Sequence, residues 1–179
     1  FLLCYTVVMR YDYKNLYEKN AALYRERPLA LRAVMIGNFA LTALFFLAYG
    51  GFVLYAVFTE FYVLDLIAIF FAPLCCVFLV MVLRLAVDRA RPYSEQGANI
   101  TPLLHKKHKD RESFPSRHIA CAFVIALTIG AFVPWAGVVL GILSVALGYI
   151  RFTLGLHYPS DLIGGMVLGI VCSLPLFFL

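Results

Sequence analysis

The sequence predicts an all-α, polytopic membrane helix bundle formed by one domain over residues 1–179. Two observations carry this. Of its residues 63% are hydrophobic and 14% charged, with a mean hydropathy of +0.89, whereas a soluble domain is about 45–50% apolar and about 25% charged. The charges are also crowded into three short stretches and nearly absent from the long apolar ones between them, as expected when hydrocarbon is the solvent.

Five stretches approach the roughly 20 apolar residues that a spanning helix needs. Ala33 to Thr59 has no charge, and Phe61 to Leu83 has only Asp65, near its start. Ile119 to Val133 and Ala136 to Ile150 read as short spans hinged at Pro134 and Trp135, and Leu162 to Leu179 is uncharged. The apolar start, Phe1 to Met9, is too short to span and reads as the remnant of a sixth helix in a trimmed chain. Between it and the first span, Arg10 to Arg32 carries six basic and three acidic residues, with Tyr13, Leu16, Tyr17 and Tyr24 at near-helical spacing. That pattern predicts an amphipathic interfacial helix. Cys4, Cys75, Cys76, Cys121 and Cys172 all fall in apolar sequence without metal-ligand spacing, and read as small buried hydrophobes.

Counting crossings puts Arg10 to Arg32, Arg84 to Arg117 and Arg151 to Asp161 on one side of the bilayer, together with all fifteen Lys and Arg. Three groups of candidate residues meet there. Arg84 and Arg91, the latter followed by Pro92, are seven residues apart, nearly two helical turns, so a helix would present both guanidinium groups on one face. The bland alternative is an Arg84–Asp88 pair with both arginines snorkelling. Ser116, in Pro115-Ser116-Arg117-His118, suits a helix N-cap, where backbone N–H groups favour an anion beside Arg117 and His118. Finally, Arg151 precedes His157 and Asp161, and the four-residue spacing lets the Asp161 carboxylate hold one imidazole nitrogen while the other faces substrate. Each group alone is ambiguous. Ionisable residues at membrane depth are costly and mark function, and three or four arginines, two histidines and an aspartate on one face suit a phosphoryl group, whose equatorial oxygens match guanidinium forks. One histidine can attack and the other can protonate the leaving oxygen.

These residues resemble the signature of the type 2 phosphatidic acid phosphatases and related vanadium haloperoxidases, Lys-x6-Arg-Pro, Pro-Ser-Gly-His and Ser-Arg-x5-His-x3-Asp. Here it reads Arg84-x6-Arg91-Pro92, Pro115-Ser116-Arg117-His118 and Ile150-Arg151-x5-His157-x3-Asp161. Arg84 stands for the usual lysine, Arg117 for glycine and Ile150 for serine. The resemblance implies a six-helix membrane fold and a metal-independent lipid phosphatase or pyrophosphatase. It implies a phosphohistidine on His157 supported by Asp161, protonation of the leaving group by His118, and phosphate binding by Arg84, Arg91, Ser116, Arg117 and Arg151. Phosphatidic acid, phosphatidylglycerol phosphate and polyprenyl pyrophosphates such as undecaprenyl pyrophosphate all present the required group.

The expected partners are a lipid phosphate and the bilayer, with vanadate or inorganic phosphate as site ligands, no nucleic acid, no cofactor and no metal; the oligomeric state stays open. His105 and His108 are spaced as metal ligands could be, but lie among Lys106, Lys107 and Lys109, so a loop attracting anionic headgroups is the better reading. The positive-inside rule would put the basic face in the cytoplasm, whereas the resemblance puts the active site on the extracytoplasmic side of a multi-pass cell-membrane protein, which is the reading adopted. A transporter or anion-binding protein is the alternative from another class, although its polar residues should lie at mid-bilayer on broken helices. A phosphotransferase using the same site is a further one.

Overall fold

The structure, a computed structural model, describes residues 2–59, 61–104 and 110–177. Six helices follow one another: α1 (Leu2–Arg25), α2 (Pro28–Phe58), α3 (Val63–Val87), α4 (Arg117–Phe132), α5 (Pro134–Thr153) and α6 (Pro159–Ser173), which continues as a 3₁₀ turn over Leu174–Phe177. The described residues include no strand. Pro28, Pro134 and Pro159 each occupy the start of a helix, where the missing N–H costs nothing and the fixed φ is already helical.

Four of these segments are long and apolar enough to cross a membrane: α2, α3, α5 and α6 with its 3₁₀ extension. The chain is thus a multi-pass membrane protein. Its surface agrees, since Leu29, Phe39, Leu47 and Phe58 on α2 and Leu74 and Leu85 on α3 are exposed, an arrangement that suits lipid rather than water. The fifth expected span behaves differently. At 16 residues, α4 is about 24 Å long, short of the roughly 30 Å hydrocarbon core. It forms the centre of the bundle, touching α2, α3, α5 and α6 and burying Ile119, Ala120, Val124, Ile125 and Ile129.

What fixes α6 against α4 is a pair of small residues at i and i+4. A methyl group on Gly165 would lie 2.6 Å from the Ser116 carbonyl oxygen, and one on Gly169 would lie 2.8 Å from that of Ala120. The two backbones therefore touch directly, the small-xxx-small mode of membrane helices. Asp161 lies one turn before Gly165, so this contact also sets its distance from the start of α4.

The stretch before the first span differs from expectation. One continuous helix, α1, includes most of the apolar start and the charged stretch after it as far as Arg25. Tyr13, Tyr17 and Ala21 form a buried stripe at helical spacing, but it packs on Ala98, Ile100 and Tyr158 of the same protein rather than on lipid. Leu16 points outward. The Tyr17 hydroxyl donates to the Thr101 carbonyl and accepts from the Leu103 N–H, both at 3.1 Å. Gly155, at φ +74°, leaves room for the Tyr17 ring, which a methyl group there would meet at 3.0 Å. In this way α1 is strapped onto the two loops that build the polar end of the bundle.

Candidate active site

Three loop-to-helix junctions converge at that end: the end of α3, the start of α4, and the turn between α5 and α6. The first is not the long helix its spacing predicted. After Val87 the chain leaves the helix through Asp88, in the left-handed region at φ 39°, so Arg84 lies on α3 and Arg91 in the loop beyond. Asp88 does not pair with Arg84; it binds Arg111 at 2.6 Å. Arg84 is buried, and its Nε and Nη2 both donate to the Glu112 carbonyl, the former at 2.9 Å. Glu112 is itself left-handed, at φ 60°, an orientation a non-glycine residue adopts only where its surroundings hold it. The Arg91 N–H donates to the Asp110 carbonyl at 2.8 Å, and its Nε to the Arg111 carbonyl at 3.2 Å.

Ser116 is the N-cap residue of α4, as its sequence suggests, but its hydroxyl does not cap the helix. It is fully buried and its Oγ has no partner. On α5, Arg151 is buried with its Nε likewise unpartnered. An unsatisfied buried donor costs about 1–3 kcal/mol, so each marks a point where an acceptor-rich ligand would restore the lost hydrogen bond. Arg91 and Arg117 are both within electrostatic reach of Arg151.

His157 lies in the turn before α6, 2% exposed. Its Nδ1 is 3.1 Å from the Ser113 carbonyl oxygen and 3.6 Å from Asp161 Oδ2. The direct hydrogen bond is therefore to the main chain, and the Asp161 carboxylate stands behind it. A carbonyl can only accept, so Nδ1 carries the proton and Nε2 keeps its lone pair. Burial holds the imidazole down to about 4, assisted by Arg91 and Arg151 and opposed by Asp161. The ring is thus neutral, with a free nitrogen, at physiological pH.

Asp161 is fully buried and saturated with donors. Ser113 Oγ reaches Oδ2 at 2.5 Å, the Tyr158 N–H reaches the same oxygen at 3.0 Å, and Arg89 Nη1 reaches Oδ1 at 2.7 Å. Arg89 also donates to Ser160 Oγ at 2.7 Å and lies 4.3 Å above the Tyr158 ring, which Tyr13 of α1 backs edge-on at 4.6 Å. Sequence reading missed Ser113 and Arg89. No motif signals Ser113, whose carbonyl and hydroxyl join His157 to Asp161. Arg89 sits between Arg84 and Arg91 in sequence, and becomes visible only once the helix is known to stop at Val87.

Arg89→Ala should therefore act through Asp161. Freed of its cation, the carboxylate pulls the His157 pKa upward, so the acid limb of kcat/KM moves toward neutral pH, and lost orientation lowers kcat by about 10- to 100-fold. KM should change little and Arg89→Lys should recover part of the rate. An unshifted pH profile with normal kcat would remove Arg89 from this role.

His118 and Arg117 begin α4 and face a cavity of about 370 Å³ between α2, α3 and α4, walled by Phe45, Phe46, Val77 and Ile125. Among the described residues no group of three metal-ligating side chains occurs. The His105–Lys109 stretch lies outside those residues.

With this geometry the chain matches the model of the PAP2 superfamily over residues 61–178. The chain belongs to the PAP2 superfamily. Among curated proteins it is 36% identical over 83 residues to the putative undecaprenyl-diphosphatase YbjG of Escherichia coli, covering 45% of this chain and 39% of that protein. It is 30% identical over 91 residues to the lipid A 4'-phosphatase of Bacteroides thetaiotaomicron, covering 49% and 40% respectively. The matched stretch thus spans well under half the length of either. Among solved structures, Aquifex aeolicus LpxE superposes with a TM-score of 0.68 at 20% identity, over 92% of this chain and 96% of that one, so the likeness of fold extends beyond residues 61–178.

Proposed function

We propose that the protein is a metal-independent phosphatase or pyrophosphatase for a membrane lipid phosphate, working through a phosphohistidine on His157. The observation that carries this is the state of His157: buried, neutral and tied by Nδ1 to a carbonyl, it presents an unprotonated Nε2 at a site lined with arginines. Nε2 attacks the phosphorus, the bond to the leaving oxygen breaks, and His118 donates the proton that oxygen needs. Water then cleaves the N–P bond, with His118 now able to accept its proton. Asp161 offsets the charge that develops on the imidazole. Arg84, Arg91 and Arg151, with Ser116, neutralise the equatorial oxygens in place of a divalent cation, and Arg117 adds its charge beside His118.

The printed names of the relatives, an undecaprenyl-diphosphatase and a lipid A 4'-phosphatase, support a lipid phosphate as substrate, as does the apolar cavity beside His118. A transporter is disfavoured because the candidate charges cluster at one end of the bundle.

The test is phosphate release from phosphatidic acid, phosphatidylglycerol phosphate and a polyprenyl diphosphate by the purified protein, without added metal. At least one should be hydrolysed, and orthovanadate should inhibit competitively by bonding to His157. No release from any of them, or no vanadate effect at millimolar concentration, would overturn the reading.

A further inference from the structure

Arg117 is exposed, and among the described residues it makes no hydrogen bond or ion pair with another side chain. It adjoins His118 on the rim of the apolar cavity between α2, α3 and α4. Arg151 acts on both histidines. What sets Arg117 apart is its place: it lines the same cavity as His118, so with His118 as the acid for the leaving oxygen, Arg117 stands beside the leaving group.

The two leaving groups open to a lipid phosphatase place different demands on that side. From a monoester the leaving oxygen becomes that of an alcohol, far too basic to depart without a proton, and the group beyond it is uncharged. From a diphosphate it becomes an oxygen of a lipid monophosphate, whose second pKa is about 6, so it departs without a proton but brings nearly two negative charges. A cation facing it stabilises that charge as it develops. An arginine with no partner among the described residues is suited to it, because its fork can bind two phosphate oxygens at once.

We propose that Arg117 is a specificity residue that binds the proximal phosphate of a lipid diphosphate, with the first part of the apolar tail in the cavity between α2, α3 and α4. This rests on the phosphatase reading above and narrows its substrate. The step balances. Nε2 of His157 forms a bond to the terminal phosphorus, the bond from that phosphorus to the bridging oxygen breaks, and the electron pair leaves with the lipid monophosphate held by Arg117. Water then releases inorganic phosphate from His157. A lipid monophosphate lacks the second charge that Arg117 binds, so hydrolysis stops after one phosphate.

The measurement is kcat/KM of the purified full chain with a polyprenyl diphosphate and with the monophosphate of the same alcohol. Wild-type protein should favour the diphosphate by about 10-fold or more. Arg117→Ala should lose about 10- to 100-fold on the diphosphate, the weight of one charge-assisted hydrogen bond pair, and less than about threefold on the monophosphate, with Arg117→Lys between. Equal losses on both substrates, or a wild-type preference for the monophosphate, would overturn the assignment while leaving the phosphatase reading intact. No hydrolysis of either would also overturn the assignment, and the phosphatase reading falls with it only if phosphatidic acid and phosphatidylglycerol phosphate release no phosphate either.

Discussion

His157→Ala is expected to abolish phosphate release and to leave no covalent phosphoenzyme. Wild-type protein mixed with radiolabelled substrate and quenched within milliseconds should yield protein-bound phosphate that survives base and is lost in acid, as a phosphoramidate is. The expectation rests on a single nitrogen. Nδ1 donates to the Ser113 carbonyl at 3.1 Å, so only Nε2 can form the bond to phosphorus, whereas His118, at the start of α4, is assigned the proton transfer. Burial lowers the His157 pKa to about 4, against an unperturbed value of about 6.5. The neutral, attacking form therefore persists well into acid, and the acid limb of kcat/KM should fall nearer 4 than 6.5. The same shift bears on stability. The folded state binds its proton more weakly than the unfolded state, so this contribution is complete above about 6.5 and is lost as pH falls from there toward 4. A folded His157→Ala protein turning over at the wild-type rate would refute the assignment, and thermal melting at pH 7 separates loss of chemistry from loss of fold.

Much of this arrangement was legible in the sequence. Composition alone implied membrane helices, and charge placement put the candidate residues at one end of the bundle, because the cost of burying a charge in hydrocarbon leaves few other places for it. What sequence periodicity could not supply was where helices end. The spacing of Arg84 and Arg91 fits two helical turns, yet Asp88 turns left-handed and the chain departs, which is what lets Arg89 reach back across the loop to Asp161. The aromatic stripe of α1 was visible, but a stripe does not name its partner; Tyr13 and Tyr17 pack against loop residues some eighty positions away. The i, i+4 spacing of His157 and Asp161 suggested a direct bond, whereas the Ser113 carbonyl takes that place and the carboxylate is engaged by Ser113, Tyr158 and Arg89. A main-chain oxygen carries no side-chain signature, so no reading of residue types would have found it.

His118→Ala should fail differently, because it removes the acid and leaves the nucleophile. With a lipid monoester the leaving alkoxide must be protonated as it departs, and loss of a positioned donor slows such steps by roughly 10²- to 10⁴-fold. A nitrophenyl phosphate leaves readily without a proton and should restore much of the rate to this variant. It should restore none to His157→Ala. The neighbours of His118 make the comparison sharper: burial lowers its pKa and Arg151, His157, Arg117 and Arg84 lower it further, so the ring is neutral in the empty site and takes up its proton when a phosphate dianion enters. Substrate binding should therefore raise the pKa of His118, and the basic limb of kcat should lie above that of kcat/KM. In His118→Ala that limb should vanish from both profiles while the acid limb of His157 remains. Equal losses with the lipid and the nitrophenyl ester would show that His118 serves in binding or folding instead of proton transfer, since neither of those roles depends on the basicity of the leaving group.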